Sequence, residues 1–199
     1  GIQPNFHANG DVAIGMVLTA YEHGTRLVPG TDRRPKITHC TNVSPALVAR
    51  IKALGVVPAL FTSYAYYNSD KFHFYGAEMM EHMMAYRMLI DAGVPVCAGS
   101  DFPPGPFAPL MGLQGMVTRK GWNGEVWGAS QRITVMEGLH VLAANGAHAS
   151  FEEDLKGTLT PGKLADMVVL DADPATIDPE RIKDIRVQQT LVGGAGNDA

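Results

Sequence analysis

The sequence predicts an α/β fold built on a parallel sheet, and three observations carry that expectation. Short apolar runs of strand character alternate with helix-forming segments over the first two-thirds of the chain, the pattern of right-handed βα units. The runs are continuously apolar rather than alternating, as suits strands covered on both faces. Three of them lead to a chemically competent residue just before helix-forming sequence: His7, His39 and Asp101.

The first strand ends at His7, and a helix is expected from about Asp11 to Glu22 with Asp11 as its cap. A second strand, Lys36–Cys40, leads into a helix with clear punctuation. Ser44 is the N-cap, Pro45 the first helical residue, Leu47, Val48, Ile51 and Leu54 the apolar stripe, and Gly55 the stop. Val56 to Phe61 is the third strand. A long loop follows with Tyr64, Tyr66 and Tyr67, which stand on the same side as the strand ends and are candidates to line a pocket.

A helix is then expected from about Ala77 to Ala92, stopped by Gly93. Met79, Met80, Met83, Met84 and Met88 recur along it and read as packing residues. His82 reads as a surface or packing residue and Arg87 as ion-paired or solvated. The fourth strand, Val94–Gly99, delivers Ser100 and Asp101. Beyond a Pro-rich turn, a helix is expected from Phe107 to Val117, then irregular chain with Trp122 and Trp127. Thr134 and Glu137 form a capping box that opens a helix to Ala144. From Gly157 the character is β, with strands at Leu164–Leu170 and Ile185–Val192. Two strands do not make a stable sheet alone, so partners from elsewhere are expected.

Composition bounds the function. At 199 residues, 46% hydrophobic and 18% charged, the chain can bury a proper core. A net charge of −4 with scattered Lys and Arg excludes a nucleic-acid footprint. No apolar stretch reaches the ~20 residues of a membrane span. Cys40 and Cys97 fall in expected strands and read as reduced core residues, which favours the cytoplasm. The chain opens Gly1-Ile2-Gln3-Pro4, and a piece cut from something longer is expected. Gly157 to Lys163 imitates a phosphate-binding loop, but Leu164 stands where Ser or Thr is needed and a strand follows, so that reading is rejected.

In a parallel βα fold all strand C-termini share one face, so His7, His39 and Asp101 are expected to converge. Two imidazoles and a carboxylate suit a divalent metal such as Zn²⁺, Fe²⁺ or Mn²⁺. No His-x-His pair occurs in the sequence, so only half of such a site is encoded.

The segments His7-Ala8-Asn9-Gly10-Asp11, Ile37-Thr38-His39-Cys40 and Ala92 to Asp101 resemble the second half of an amidohydrolase-superfamily enzyme, in particular the third amidohydrolase family with its formamide deformylases. Lys156 to Leu170 is similar to that family's return into a small β-sandwich. The resemblance implies strands five to eight of a (β/α)8 TIM-type barrel over residues 1–150 and a partial β-sandwich over 151–199. It makes His7, His39 and Asp101 metal ligands, with zinc foremost and iron or manganese as alternatives. Asp101 becomes the proton-transfer residue, and His39 either a ligand or the group that polarises the carbonyl. The substrate implied is a small-molecule amide, N-formyl or N-acyl amine, with no nucleic-acid or membrane partner.

The family's His-x-His pair and its bridging residue would lie upstream of Gly1. An upstream half-barrel or another chain is therefore expected to complete the site, since a whole barrel needs ~250 residues. Two alternatives stand beside this reading. One is a non-catalytic, truncated α/β domain with a structural or interaction role; the other is a deaminase or lactonase of the same superfamily.

Overall fold

The computed structural model describes residues 2–30 and 32–198. Its first two-thirds form one parallel sheet in sequential order, from β1 (Asn5–Ala8) and β2 (Lys36–His39) to β3 (Val57–Phe61) and β4 (Cys97–Gly99). The register pairs Ala8 with His39, Thr38 with Ala59, and Phe61 with Gly99, so the C-terminal ends of the four strands are level. Helices α1 (Asp11–Leu27) and α2 (Pro45–Ala53) return the chain between strands, as parallel pairing requires.

Helix α2 forms where its punctuation predicts. The Ser44 hydroxyl accepts from the Leu47 N–H at 3.4 Å, Pro45 is the first helical residue, and Gly55 takes φ +61° beyond the last turn. Its stripe packs Val48 and Ile51 into the core. Helix α1 corrects two expectations. Gly10 is its N-cap, while Asp11 is the first helical residue and accepts from the Val12 N–H at 2.9 Å. A carboxylate one position inside the helix still suits the positive end of the dipole. The helix also runs one turn further than expected, to Leu27.

The helix expected over 77–92 is not continuous. After α3 (Tyr64–Tyr67) and a 3-10 segment at Ser69–Phe74, α4 (Gly76–Met80) and α5 (Tyr86–Asp91) flank a break in which Met84 takes φ +50°. Tertiary hydrogen bonds hold that break open. The Val43 N–H donates to the His82 carbonyl at 3.0 Å, and the Met84 N–H donates to that of Thr41 at 2.8 Å. From the other side the fully buried Arg119 guanidinium donates to the carbonyls of Met80, Met83, Met84 and Trp127. Burial lowers the Arg119 pKa to about 10, so it stays protonated and carries its charge against four peptide dipoles. The methionine spacing reported burial correctly for Met80, Met83 and Met84, but burial without helical continuity.

Helices α6 (Pro109–Thr118), α7 (Val135–Leu142) and α8 (Ala144–His148) complete the covering layer. The Thr134–Glu137 capping box is present, and Glu137 also pairs with Arg87 of α5 at 2.7 Å. Below the sheet, Arg34 ties the start of β2 to the chain after α8. It meets Glu153 at 2.6 Å, donates to the His148 carbonyl at 2.8 Å and lies 4.3 Å from the Phe151 ring centroid.

The last third is an antiparallel sheet of β5 (Met167–Leu170), β6 (Val187–Val192) and β7 (Ala195–Asp198). Where two strands in need of partners from elsewhere were expected, the chain supplies a third itself: β7 folds back through Gly193-Gly194 at φ +58° and +83°. Its sequence, Ala-Gly-Asn-Asp, has none of the β-branched or aromatic residues that mark a strand. A 3-10 segment, Pro179–Asp184, anchors this sheet by burying Ile182 and by the Lys120–Glu180 pair at 2.7 Å.

Candidate metal centre

Parallel pairing delivers His7, His39 and Asp101 to one end of the sheet. His7 lies on β1, His39 ends β2, and Asp101 follows β4 by two residues. The His7 and His39 rings meet edge to face with centroids 4.2 Å apart. Phe61, the last residue of β3, packs on the other side of His39 at 3.6 Å, and Tyr64 lies 5.5 Å from Phe61. His39 is 7% exposed, whereas His7 faces solvent and Asp101 is half-buried.

The backbone at these positions is unusual. His39, Cys40 and Asp101 take φ of +72°, +45° and +56° without being glycine, a conformation that costs roughly 1–3 kcal/mol at each site. Neighbouring bonds hold them there. The Cys40 N–H donates to the Ala8 carbonyl at 2.9 Å, Thr62 donates through its N–H to the Gly99 carbonyl at 3.0 Å, and the Ser63 hydroxyl donates to that of Ser100 at 3.1 Å. Just beyond β1 and β2, the Thr41 hydroxyl donates to the Asn9 amide oxygen at 2.6 Å.

Electrostatics place the three groups in one field. Burial pushes the His39 pKa down to about 4, the His7 ring adds to the depression, and the Asp101 carboxylate opposes it. Near neutrality His39 is therefore an uncharged imidazole with a free lone pair, the form a metal ligand needs. Burial and the same Asp101 carboxylate raise the Tyr64 phenol above its ordinary value. The donor chemistry thus fits a divalent cation. The set is short, however: among the described residues no three His, Cys, Asp or Glu side chains are grouped closely enough to hold a metal. A catalytic site of this kind uses about three protein ligands and an open position.

Other candidates separate clearly. Arg87 is committed to Glu137 and to Asp91 at 2.9 Å, so it is a structural tie between helices. The His82 Nδ1 is buried with no hydrogen-bond partner among the described residues. Trp122 is exposed, and Trp127 packs on the core while its indole N–H donates to Glu125 at 3.0 Å. Cys40 and Cys97 are buried free thiols. Phe61 is the residue the sequence reading passed over; its signal was its place as the last residue of an apolar strand between two ligand-bearing ones.

A level row of parallel strand ends carrying two imidazoles and a carboxylate stands on the face where scaffolds of parallel βα units place their chemistry. A family model described as the amidohydrolase family matches residues 1–195, and the chain belongs to that family. N-substituted formamide deformylase of Arthrobacter pascens is 29% identical over 196 residues, covering 98% of this chain and 36% of its own length. Imidazolonepropionase of Bacteroides fragilis is 27% identical over 195 residues, covering 98% of this chain and 40% of its own length. An uncharacterized metal-dependent hydrolase from Pyrococcus furiosus matches in structure with a TM-score of 0.74 at 25% identity, covering 88% of this chain and 35% of that one. The chain thus spans between a third and two-fifths of the length of the proteins it resembles.

Proposed function

We propose that the chain is part of a metal-dependent hydrolase of non-peptide C–N bonds in small amides, N-formyl amines or N-acyl amines. The observation that carries this is the neutral, buried His39 edge to face with His7, in the field of Asp101, within a chain of the amidohydrolase family. The named activity of the Arthrobacter relative, a formamide deformylase, supports the bond class. In this reading residues 1–150 are strands five to eight of a (β/α)8 barrel, and residues 151–199 belong to a small β-sandwich. The protein acts in the cytoplasm, which accords with its free cysteines.

His7, His39 and Asp101 would hold the cation, zinc foremost, together with donors from outside this chain. When bound, such a cation supplies Lewis-acid polarisation of the carbonyl and eases ionisation of water near neutral pH. Asp101 accepts the proton of the attacking water as general base and hands it to the departing nitrogen as general acid. The C–N bond breaks, the carbonyl carbon gains a hydroxyl oxygen, and the amine leaves neutral. His39, uncharged, keeps one N–H to donate to the carbonyl oxygen wherever its other nitrogen is not a ligand. Phe61 and the strained backbone hold that ring in place.

Metal analysis and hydrolysis of an N-formyl amine test the reading on this chain together with a complementing barrel segment. About one or two metals per complete site are expected, with loss of turnover by two or more orders of magnitude in Asp101→Asn. A complete protein that binds no metal, or full activity in that variant, would sink the proposal.

A further inference from the structure

We infer that the Tyr64 hydroxyl is a further substrate-contacting group of this site: it accepts the N–H of the scissile amide and so selects secondary amides, which carry one hydrogen on nitrogen, over tertiary ones. Its role rests on the hydrolase reading and adds a selecting residue to it.

Tyr64 opens α3, three residues beyond the end of β3, and the segment that carries it is tied to the segment that carries Asp101. The Thr62 N–H and hydroxyl both donate to the Gly99 carbonyl, at 3.0 and 3.3 Å, and the Ser63 hydroxyl donates to the Ser100 carbonyl at 3.1 Å. Helix α6 packs on the same segment at close range. A Cβ at Gly112 would stand 2.4 Å from that of Thr62, and one at Gly115 3.2 Å from that of Ala65, so glycine is what allows the approach. Thr62, Ser63 and Ala65 are buried. Every one of these contacts joins the connection after β3 to β4 and the chain that follows it. Tyr64 therefore leaves a backbone fixed relative to Asp101, and its ring packs on Phe61 with centroids 5.5 Å apart.

The order of groups along the strand ends decides which substrate atom Tyr64 meets. His7, His39, Phe61 and Tyr64 follow one another ring to ring, at 4.2, 3.6 and 5.5 Å. Phe61 thus stands between the phenol and His39, which faces the carbonyl oxygen in the hydrolase reading. The Asp101 carboxylate acts in the field of both His39 and Tyr64. Asp101 is the group that hands a proton to the departing nitrogen, so Tyr64 stands on the nitrogen side of the scissile bond. An amide nitrogen is no acceptor, because its lone pair is conjugated with the carbonyl. What a group on that side recognises is the N–H, and a neutral hydroxyl oxygen accepts it. Burial and the carboxylate keep the phenol protonated near neutrality, so no second negative charge stands beside Asp101. As the carbonyl carbon becomes tetrahedral the nitrogen regains its lone pair, and an N–H held by Tyr64 turns that lone pair toward Asp101. Tyr66, two residues on, lies instead in the field of Lys183, on the 3-10 segment Pro179–Asp184.

Turnover of the chain with its complementing barrel segment, on a secondary N-formyl amine and on its N-methyl tertiary counterpart, tests this. Tyr64→Phe keeps the ring and removes only the hydroxyl. It should lower kcat/KM on the secondary amide about tenfold, the weight of one hydrogen bond, and leave the tertiary amide within about twofold. Metal content should not change, and Tyr66→Phe should alter neither rate. An equal loss on both amides, or no loss on either, overturns the role of Tyr64 and leaves the hydrolase reading standing. A parent protein with no metal and no turnover of either amide ends the hydrolase reading, and the role of Tyr64 with it.

Discussion

The two sheets of this chain use similar residues and reach opposite degrees of burial. In the parallel sheet, Ile37, Val57 and Leu60 are fully buried, because helices cross one face and the chain after α8 lies against the other. In the C-terminal sheet, Val168 and Val169 stay exposed, by 56% and 42%, although they are as apolar as their counterparts. Hydrophobicity sets what a strand can bury. Cover from sequence-distant elements sets what it does bury, and the small sheet gains its hold through Ile182 and the Lys120–Glu180 pair.

The sharpest test of that contrast is the group that holds the covering layer together. Arg119→Met removes a charged donor from four carbonyls, those of Met80, Met83 and Met84 in buried bonds, and should cost about 3 kcal/mol or more in chemical denaturation. A loss under 1 kcal/mol would mean that the break between α4 and α5 does not depend on it. Next, Leu60→Ala in β3 should cost about 2–5 kcal/mol by opening a cavity. Val168→Ala in β5 should cost roughly 0.5 kcal/mol or less, since it removes a methyl pair from solvent. Equal effects on the urea midpoint would erase the distinction between the sheets.

A smaller effect is set by pH. Hydrogen bonds from Arg87, then from the Thr134 backbone, hold the Glu137 pKa down at about 2. A depressed carboxylate contributes stability that is full above its ordinary value near 4.5 and fades as pH falls toward 2. Partial exposure of the pair limits this to roughly 1–2 kcal/mol. Glu137→Gln should flatten that part of the acid-denaturation curve, and an unchanged slope would assign it to other carboxylates.

The sequence read well where a signal is local. Ser44-Pro45 and Thr134 with Glu137 start helices wherever they occur, because the groups they satisfy lie within one turn. The strand ends at His7, His39 and Asp101 were legible for a related reason: parallel βα units leave only one face for them. The reading failed where the deciding atoms are distant in sequence. Nothing near residues 77–92 announces that Thr41, Val43 and Arg119 take up the groups a continuous helix would have bonded internally. Nothing in Ala-Gly-Asn-Asp announces a strand, since β7 exists through its hydrogen bonds to β6 and the two glycines before it.

The sequence by itself therefore determined the alternation of strand and helix, the parallel sense of the first sheet, and which three residues stand at its strand ends. Periodicity and capping are written within a few residues of where they act. The tertiary structure alone decided that His39 is neutral, wedged between His7 and Phe61, and held at a left-handed backbone angle. It also decided that Val57 and Leu60 of β3 are fully buried while Val168 and Val169 of β5 stay exposed. Desolvation, ring packing and edge cover all arise between segments tens of residues apart, and no local pattern encodes them.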